Sequence, residues 1–226
     1  MSSTIITLPK PVTKGTVSLE ECLLKRRSKR AYRVQDLTLE QISQLCWATQ
    51  GITETVGGFR TAPSAGATYP LELYLVKSDG LFHYLPEGHK LEKVKAGDFR
   101  KSLCSAALGQ RFVAEAPVDF VITAIYERTT ARYRQRGIRY VDIEVGHAAQ
   151  NLHLQAVALG LGSVPVGAFD DDAVSEILSL PKEEKPLYII PVGYIRQQDK
   201  PLKSQNSLKS SKPSQCLQCF QWLNSN

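Results

Sequence analysis

The longest apolar pattern in the chain runs from Tyr140 to Leu159, and it limits the possible folds more than any other feature. Apolar side chains recur there at helical spacing but occupy more than one side of the helix. They are Ile143, Ala148, Leu152, Leu154, Val157 and Ala158. A helix on a protein surface has a single apolar stripe, so a wider apolar surface must be covered by other elements. The pattern predicts a long central helix, largely buried, with the rest of the domain packed around it.

Two shorter helices are predicted upstream from their capping residues. Ser18 is followed three residues later by Glu21, and the apolar residues between and after them predict a helix that runs towards Lys25. Thr38 is followed by Gln41 in the same pattern, and a glycine at position 51 ends this second helix. The first helix therefore ends where a cluster of basic residues begins.

Strands are interspersed with these helices along the chain. Two apolar runs, residues 71–76 and 81–85, flank an Asp-Gly turn and predict a β-hairpin. Further strand candidates are residues 118–125, 164–168 and 187–195. Between the last two, Asp170 or Asp171 caps a predicted helix that Pro181 closes. Helices and strands in this order predict the α+β class.

Length and composition favour one globular domain with appendages. Of the 226 residues 42% are hydrophobic, which is enough for a substantial core. We expect an N-terminal extension over residues 1–17, the domain over residues 18–196, and a polar, disordered tail over residues 197–226. In the tail, Cys216 and Cys219 have redox or zinc spacing but lack a second ligand pair. We interpret the pair as incidental, with a labile disulfide as the alternative.

Cysteine usage and hydropathy argue against the secreted and membrane classes. The five scattered cysteines do not form a disulfide framework, and no apolar window reaches the roughly 18 residues of a membrane span. These features predict a soluble cytoplasmic protein without a membrane partner. His147 and His153 lie six residues apart on the central helix and do not share a face at metal-ligand spacing. We therefore expect packed or hydrogen-bonded histidines and predict no metal site.

Basic residues cluster just past the first predicted helix. Arg26, Ser28 and Arg30 alternate with Arg27 and Lys29, and an extended backbone would place the first three on one side. Guanidinium groups form forked, charge-assisted hydrogen bonds to phosphate, and the serine adds another donor. The trio is therefore a candidate phosphate site, although charge runs of this kind are more often solvated turns.

Two loops of small residues would let the backbone approach a flat ligand closely. The first, residues 62–70, lies between prolines just before a strand. Its candidate ligand-facing residues are Pro63, Ser64, Ala65 and Gly66. The second, residues 161–169, includes Val166 and Gly167, and a strand that ends in glycine offers a bare backbone N–H to a ligand. Each loop by itself also fits an ordinary connection.

Together with residues 144–152, these segments resemble the nitroreductase superfamily, in particular its SagB-type dehydrogenase branch. The resemblance covers residues 18–194 and rests on four motifs in the expected order. The motifs are Arg26-x-Ser28-x-Arg30, Pro63-Ser64-Ala65-Gly66 with Tyr69-Pro70, Gly146-His147-Ala148-Ala149-Gln150-Asn151, and Gly160-Leu161-Gly162 leading to Val166-Gly167-Ala168-Phe169.

The resemblance implies an α+β, nitroreductase-like fold in which helices flank a central, mainly antiparallel sheet. It also implies an interlocked homodimer with FMN at the subunit interface, so that one polypeptide holds half of each site. Arg26, Ser28 and Arg30 match the positions that hold the FMN phosphate and ribityl chain. The loop residues 63–66 match the loop that reaches the flavin from the partner subunit. Gly167 matches the glycine whose N–H approaches the flavin N5 edge.

The activity that the resemblance implies is FMN-dependent oxidoreduction with hydride transfer through flavin N5. NAD(P)H is a candidate electron donor, and a small molecule or a peptide is the expected substrate. Classical nitroreductases carry an acidic residue at the position of Val166, so its valine favours the SagB-type branch. The family also supplies a cation after its last core strand; Arg196, Lys200 and Lys203 are candidates, and we select Arg196.

Three alternative functions stay open. Azoline dehydrogenases of this branch aromatise thiazoline and oxazoline rings in modified peptides and carry a Lys-Tyr pair before the central helix. This chain has Arg132-Tyr133 and Arg139-Tyr140 instead, and arginine transfers protons poorly because it stays charged. The second alternative is a non-catalytic flavin-fold scaffold. The third is a basic nucleic-acid binder, suggested by a net charge of +6 but lacking any recognised nucleic-acid motif.

Overall fold

A computed structural model describes residues 4–196 of the chain. The strands are β1 (Thr4–Thr7), β2 (Ile52–Glu54), β3 (Phe59–Arg60), β4 (Leu71–Lys77), β5 (Gly80–Leu85), β6 (Lys90–Ala96), β7 (Val118–Ile125), β8 (Leu161–Ser163) and β9 (Glu184–Tyr194). The helices are α1 (Leu19–Lys25), α2 (Leu39–Gln50), α3 (Arg100–Ala106), α4 (Arg111–Glu115), α5 (Glu127–Tyr133), α6 (Arg136–Ala158) and α7 (Asp171–Leu178).

The centre of the structure is a seven-stranded sheet in the order β1-β6-β5-β4-β7-β9-β8. Every neighbouring pair in it is antiparallel. The strands β2 and β3 form a separate two-stranded hairpin. With helices on both faces of the sheet, the structure confirms the predicted α+β class and its mainly antiparallel sheet.

Two apolar layers, one on each face of the sheet, make up the core. The larger contains side chains from α2, α6 and one face of the sheet, and the smaller contains side chains from α3, α4, α7 and the other face. The middle strand β7 is buried over seven of its eight residues because both of its faces are covered. That burial explains why six of its eight residues are apolar, with Asp119 and Thr123 as the polar exceptions.

The predicted central helix is confirmed as α6, 23 residues long. Val141, Ala148, Leu152 and Ala156 are among its fully or almost fully buried residues. It begins at Arg136, earlier than the apolar pattern indicates. Ile143 departs from the expected burial, since 48% of its surface is exposed.

The predicted helix caps are confirmed. The Ser18 hydroxyl accepts a hydrogen bond from the Glu21 N–H at 3.1 Å. Thr38 accepts from the Gln41 N–H at 3.3 Å while the Gln41 side chain accepts from the Thr38 N–H at 3.0 Å, which completes a capping box. Asp170 caps α7 by accepting from the Ala173 N–H at 2.9 Å. These caps satisfy N–H groups that the first helical turn leaves unpaired.

The hairpin and the strand at residues 118–125 are also confirmed, but the strand predicted at residues 164–168 is wrong. The ladder of β8 with β9 covers Leu161–Ser163 and then stops, and pairing returns only as a single bridge between Val166 and Ile189. Pro165 has no N–H to donate, so a continuous ladder cannot cross it. Gly167 and Ala168 are exposed beyond the sheet.

Several elements were not predicted. The strand β1, within the expected N-terminal extension, pairs with β6 at the sheet edge. The short helices α3, α4 and α5 lack clear capping residues. No helix within residues 4–196 is long and apolar enough to cross a membrane. The predicted tail, with Cys216 and Cys219, lies outside the described residues.

Replacing Thr38 by alanine is expected to lower the free energy of unfolding by about 1 kcal/mol, because the capping box of α2 loses its side-chain acceptor. Thr38→Ser retains the hydroxyl and serves as the control. Urea denaturation followed by circular dichroism measures both variants. Equal losses in the two variants would show that the cap contributes nothing.

Candidate functional site

The basic segment, residues 26–30, runs along the edge of the sheet. Arg26 caps α1, its N–H donating to the Cys22 carbonyl at 2.9 Å. Ser28 then bridges to Ser163 of β8 in parallel orientation, and the Lys29 N–H donates to the Ser163 carbonyl at 3.0 Å. The segment is therefore extended and fixed to the edge strand, as the sequence analysis expected.

The extended backbone separates the basic side chains into two sets. Arg27 and Lys29 help to line a shallow cavity of about 230 Å³ beside Gly162, and Arg26, Ser28 and Arg30 do not. The Arg30 guanidinium lies 5.7 Å from the centre of the Phe112 ring. Neither Arg26 nor Arg30 forms an ion pair with any carboxylate of the described residues. Their positive charge is therefore available to an anionic ligand.

Arg196 lies next to this segment. Its N–H donates to the Ala31 carbonyl at 3.0 Å, and its guanidinium is 4.0 Å from a carboxylate oxygen of Glu115, with both side chains largely exposed. Tyr32 anchors the same region because its hydroxyl lies 2.7 Å from the Lys29 carbonyl and 3.1 Å from that of Pro191. The structure thus places the selected cation beside the basic segment.

The loop that leaves β8 brings Val166 and Gly167 to the same edge of the sheet. Val166 is buried, and the next residue, Gly167, is exposed to solvent. No acceptor within residues 4–196 is hydrogen-bonded to the Gly167 N–H. A Cβ at this glycine would meet only the Tyr188 ring, at an ordinary 3.7 Å. Nothing within residues 4–196 requires glycine here or accepts from its N–H, so this N–H is open to a ligand.

The small-residue loop, residues 62–70, is held in an uncommon conformation. Gly66, Ala67 and Tyr69 all have left-handed φ angles, 63°, 53° and 45°. Such angles cost energy in residues other than glycine and persist only when the surroundings enforce them. Arg128 donates to the Tyr69 carbonyl at 3.1 Å, and Arg132 approaches the Gly66 carbonyl at 3.4 Å. Helix α5 therefore helps to hold this loop.

Glu144 lies under this loop, on the buried face of α6. Its surface is 2% exposed, and neither carboxyl oxygen has a hydrogen-bond partner among the residues described. Burial raises the pKa of Glu144 to about 7, while the Ser64 hydroxyl and the Arg60 guanidinium act in the opposite direction. Both groups are therefore close enough to interact with the carboxyl.

His153 occupies the corresponding place under the basic segment. It is 5% exposed, and its Nδ1 lies 2.6 Å from the Ser163 hydroxyl. Burial, together with the charge of Arg26, lowers the pKa of His153 to about 4. The imidazole is consequently neutral at physiological pH and adds no charge to the arginines above it.

Within one chain the two parts of the predicted site are separate. Arg26, Ser28, Arg30, Gly167 and Arg196 belong to segments that meet near β8, whereas residues 63–66 lie over Glu144. Glu144 and His153 are nine residues apart on α6, which corresponds to a rise of about 13.5 Å along the helix axis. No hydrogen bond or ion pair in the described part of the chain joins the small-residue loop to the basic segment. One chain thus holds the predicted site residues in two separate groups.

Sequence reasoning did not single out Glu144 and Tyr32. It expected a packed or hydrogen-bonded histidine at His153, and the structure confirms this, but it did not connect that histidine with the basic segment. The spacing of Val141, Glu144, Ala148 and Leu152 is a helical stripe of three and four residues, so the sequence did contain a signal for the burial of Glu144. The contact of His153 with Ser163 depends on long-range packing that no local pattern encodes. No cluster of three potential metal ligands occurs within residues 4–196.

Comparison with known proteins identifies the family and the fold of this chain. A crystal structure of a candidate nitroreductase from Ralstonia eutropha superimposes with a TM-score of 0.79 and 33% identity, covering 86% of this chain and 90% of that one. The architecture is therefore the nitroreductase fold. The family model described as Nitroreductase family matches residues 23–194, and the chain belongs to that family.

Two curated relatives carry different descriptions. A candidate nitroreductase of Methanocaldococcus jannaschii is 47% identical over 183 residues, which are 78% of this chain and 91% of the relative. The microcin B17-processing protein of Escherichia coli is 29% identical over 132 residues, 54% of this chain and 48% of that protein. The chain is thus similar over nearly its whole domain to the first and over about half the length of the second.

Replacing Glu144 by glutamine is expected to change how stability depends on pH. A carboxyl whose pKa is raised in the folded state destabilises the protein as pH rises from about 4.5 to about 7. Glutamine does not titrate, so the variant should gain up to about 3 kcal/mol over wild type between pH 5 and pH 8. Chemical denaturation at several pH values measures the difference. Glu127→Gln, at an exposed glutamate, serves as the control. If the unfolding free energy depends on pH in the same way in wild type and Glu144→Gln, Glu144 does not have a raised pKa.

Proposed function

We propose that this member of the nitroreductase family is an FMN-dependent oxidoreductase of the SagB-type branch that transfers hydride through the flavin N5. The observation that carries the proposal is the unpaired basic set Arg26, Ser28 and Arg30, fixed on the sheet edge beside the free N–H of Gly167. Members of the nitroreductase family typically bind FMN.

The basic segment fits the phosphate end of FMN. Arg26 and Arg30 offer forked donors without a competing carboxylate in the described chain, and Ser28 adds a hydroxyl. Arg196 adds a further cation nearby, and its distant, exposed pairing with Glu115 is weak. A dianionic phosphate would compensate the positive charge that the fold gathers here.

The loop at Val166 and Gly167 suits the flavin ring of FMN. When bound, FMN supplies the hydride chemistry, and the protein orients the ring and stabilises charge at its edge. An open N–H at Gly167 suits a hydrogen-bond acceptor on that edge. Buried Val166 excludes water beside it without adding negative charge, in keeping with the SagB-type branch.

A homodimer would unite the two half-sites, with residues 63–66 of one subunit completing the pocket of the other. Exposed leucines on α1, 51% exposed at Leu23 and 74% at Leu24, and Ile143 on α6 support such an assembly. Contiguous apolar side chains on packed helices commonly mark a protein interface. We propose NAD(P)H as a candidate electron donor and a small molecule or peptide as substrate.

Azoline oxidation in peptides is the second candidate reaction. The microcin-processing relative supports it, as does the position of Arg132 and Tyr133, whose side chains lie against Gly66 of the small-residue loop. An arginine holds its proton too strongly to exchange it with substrate, so we place general flavin oxidoreduction first. Turnover with thiazoline peptides but not with NAD(P)H and small electron acceptors would reverse this order.

The double variant Arg26→Ala and Arg30→Ala is expected to weaken FMN binding at least about 100-fold, since each charge-assisted contact contributes about 1.5 to 3 kcal/mol. Fluorescence titration with FMN measures the effect. The matched control is Arg27→Ala with Lys29→Ala, which removes the same charge from the side chains that line the neighbouring cavity. Equal losses of FMN affinity in the two double variants would show that general positive charge attracts the cofactor and that Arg26 and Arg30 do not bind it specifically.

The double variant Leu23→Glu and Ile143→Glu is expected to dissociate the homodimer and to abolish FMN binding with it. A buried charge in an interface costs association at least about 2 kcal/mol per site. Analytical ultracentrifugation gives the mass, and the FMN titration is repeated on the same sample. Val34→Glu, at a fully exposed valine outside α1 and α6, is the control. A monomer that retains FMN would contradict the shared site.

A further inference from the structure

Tyr69, near the end of the small-residue loop, has a backbone conformation that its own sequence disfavours. Its φ angle is 45°, in the left-handed region that bulky residues rarely adopt. The next residue is Pro70, and a residue before proline normally has an extended backbone. Strained residues of this kind persist only where the surrounding structure holds them. Groups outside the loop must therefore hold Tyr69 in place.

Two hydrogen bonds fix the backbone of Tyr69. Its carbonyl accepts from Nη1 of Arg128, on helix α5, at 3.1 Å. Its N–H donates to the Ser64 hydroxyl at 2.9 Å. The second bond connects Tyr69 with residues 63–66, the part of the loop that is proposed to contact the flavin. The position of the Arg128 guanidinium therefore affects the position of that part.

The Arg128 guanidinium is itself held by a carboxylate. The same nitrogen, Nη1, lies 2.6 Å from a carboxylate oxygen of Glu72 on strand β4. A terminal guanidinium nitrogen has two hydrogens, so one can be directed at the Tyr69 carbonyl and the other at Glu72. Arg128 thus joins the end of the loop to the central sheet.

Glu72 is fixed in turn by the neighbouring strand β5. Its second carboxylate oxygen lies 2.8 Å from Nε2 of His83, and its side chain is 15% exposed. Burial opposes ionisation of this carboxyl, but His83 and Arg128 outweigh the burial and lower the pKa of Glu72. A charged carboxylate with a partner at each oxygen has one orientation, and it fixes the direction of the guanidinium beside it.

The pair of Glu72 and Arg128 differs from an ordinary surface ion pair. Arg128 is 37% exposed, so its attraction to Glu72 alone would contribute little to stability. Arg136 and Arg139, close by in the sequence, form no ion pair with any carboxylate of residues 4–196. Arg128 instead lies between a buried carboxylate and the carbonyl of a strained residue, which is an arrangement that fixes a backbone.

We propose that Arg128 and Glu72 are positioning residues that hold the small-residue loop in the conformation in which it contacts the flavin ring. Arg128 acts through the Tyr69 carbonyl, and Glu72 acts through Arg128. This inference rests on the proposed FMN site and assigns a role in it to two residues outside the phosphate grip and the loop at Gly167.

Hydrogen exchange followed by mass spectrometry tests the hold on the loop without any cofactor. In the flavin-free full chain, the amides of residues 62–69 should exchange about tenfold faster in Arg128→Ala than in wild type, because a charge-assisted hydrogen bond is lost. In Glu72→Gln the increase should be about threefold, since a neutral amide orients the guanidinium less strongly. Arg136→Ala removes the same charge from a nearby exposed arginine and should exchange like wild type.

Flavin affinity tests what the held loop does. Fluorescence titration gives the dissociation constants of FMN and of riboflavin, which has no phosphate. Because the loop is proposed to contact the ring, Arg128→Ala should weaken the binding of both flavins by the same factor, about tenfold. The double variant Arg26→Ala and Arg30→Ala should weaken only that of FMN. Arg136→Ala should leave both constants unchanged.

The outcomes distinguish this inference from the function on which it rests. Wild-type exchange of residues 62–69 in both variants would overturn the inference and leave the flavin site intact, as would faster exchange with unchanged flavin affinity. Faster exchange along the whole chain would show general destabilisation and contradict a local hold. Absence of FMN binding by wild type would overturn both proposals. If Arg128→Ala fails to fold, Glu72→Gln decides, and wild-type protection of the loop in it contradicts the inference.

Discussion

The packing of α6 against one face of the antiparallel sheet is the contact on which the rest of this structure depends. Helix α6 touches α1, α2 and α5, and it also reaches β7, β8 and β9. Its buried side chains are small at several positions, which lets α2 and the sheet approach closely. The basic segment adjoins its C-terminal part through His153 and Ser163, and the small-residue loop lies over Glu144 nearer its start. The two groups of candidate site residues are thus positioned by a single helix.

Features that depend on neighbouring residues in the chain were predictable from the sequence. The caps at Ser18 and Thr38, the Asp-Gly hairpin and the doubly covered strand β7 each follow from local chemistry. Features that depend on distant pairing were not. The strand β1 is stabilised by pairing with β6, more than eighty residues away. The strand β8 ends at Ser163 because Pro165, two residues later, has no N–H to donate to β9.

The candidate site shows the same division. The alternation of Arg26, Ser28 and Arg30 and the open glycine at 167 were visible as patterns, and the structure places them, with Arg196, along one edge of the sheet. The supports of these residues were not visible, because Tyr32, Glu144 and His153 act through burial and contacts across the fold. Glu144 was the exception, because its place in an apolar stripe at helical spacing indicates that it is buried. The substrate depends on the shape of a pocket that two subunits would form together.

Membership of the nitroreductase family and the unpaired arginines on the sheet edge together support the proposal of a flavoprotein with FMN held between subunits. The measurement that tests it most directly is the absorption spectrum of the purified full-length protein after FMN is added and excess flavin removed, with the mass determined on the same sample. We expect a yellow dimer that holds one FMN per chain. A protein that stays colourless would contradict it, and would favour a scaffold or a basic nucleic-acid binder built on the same fold.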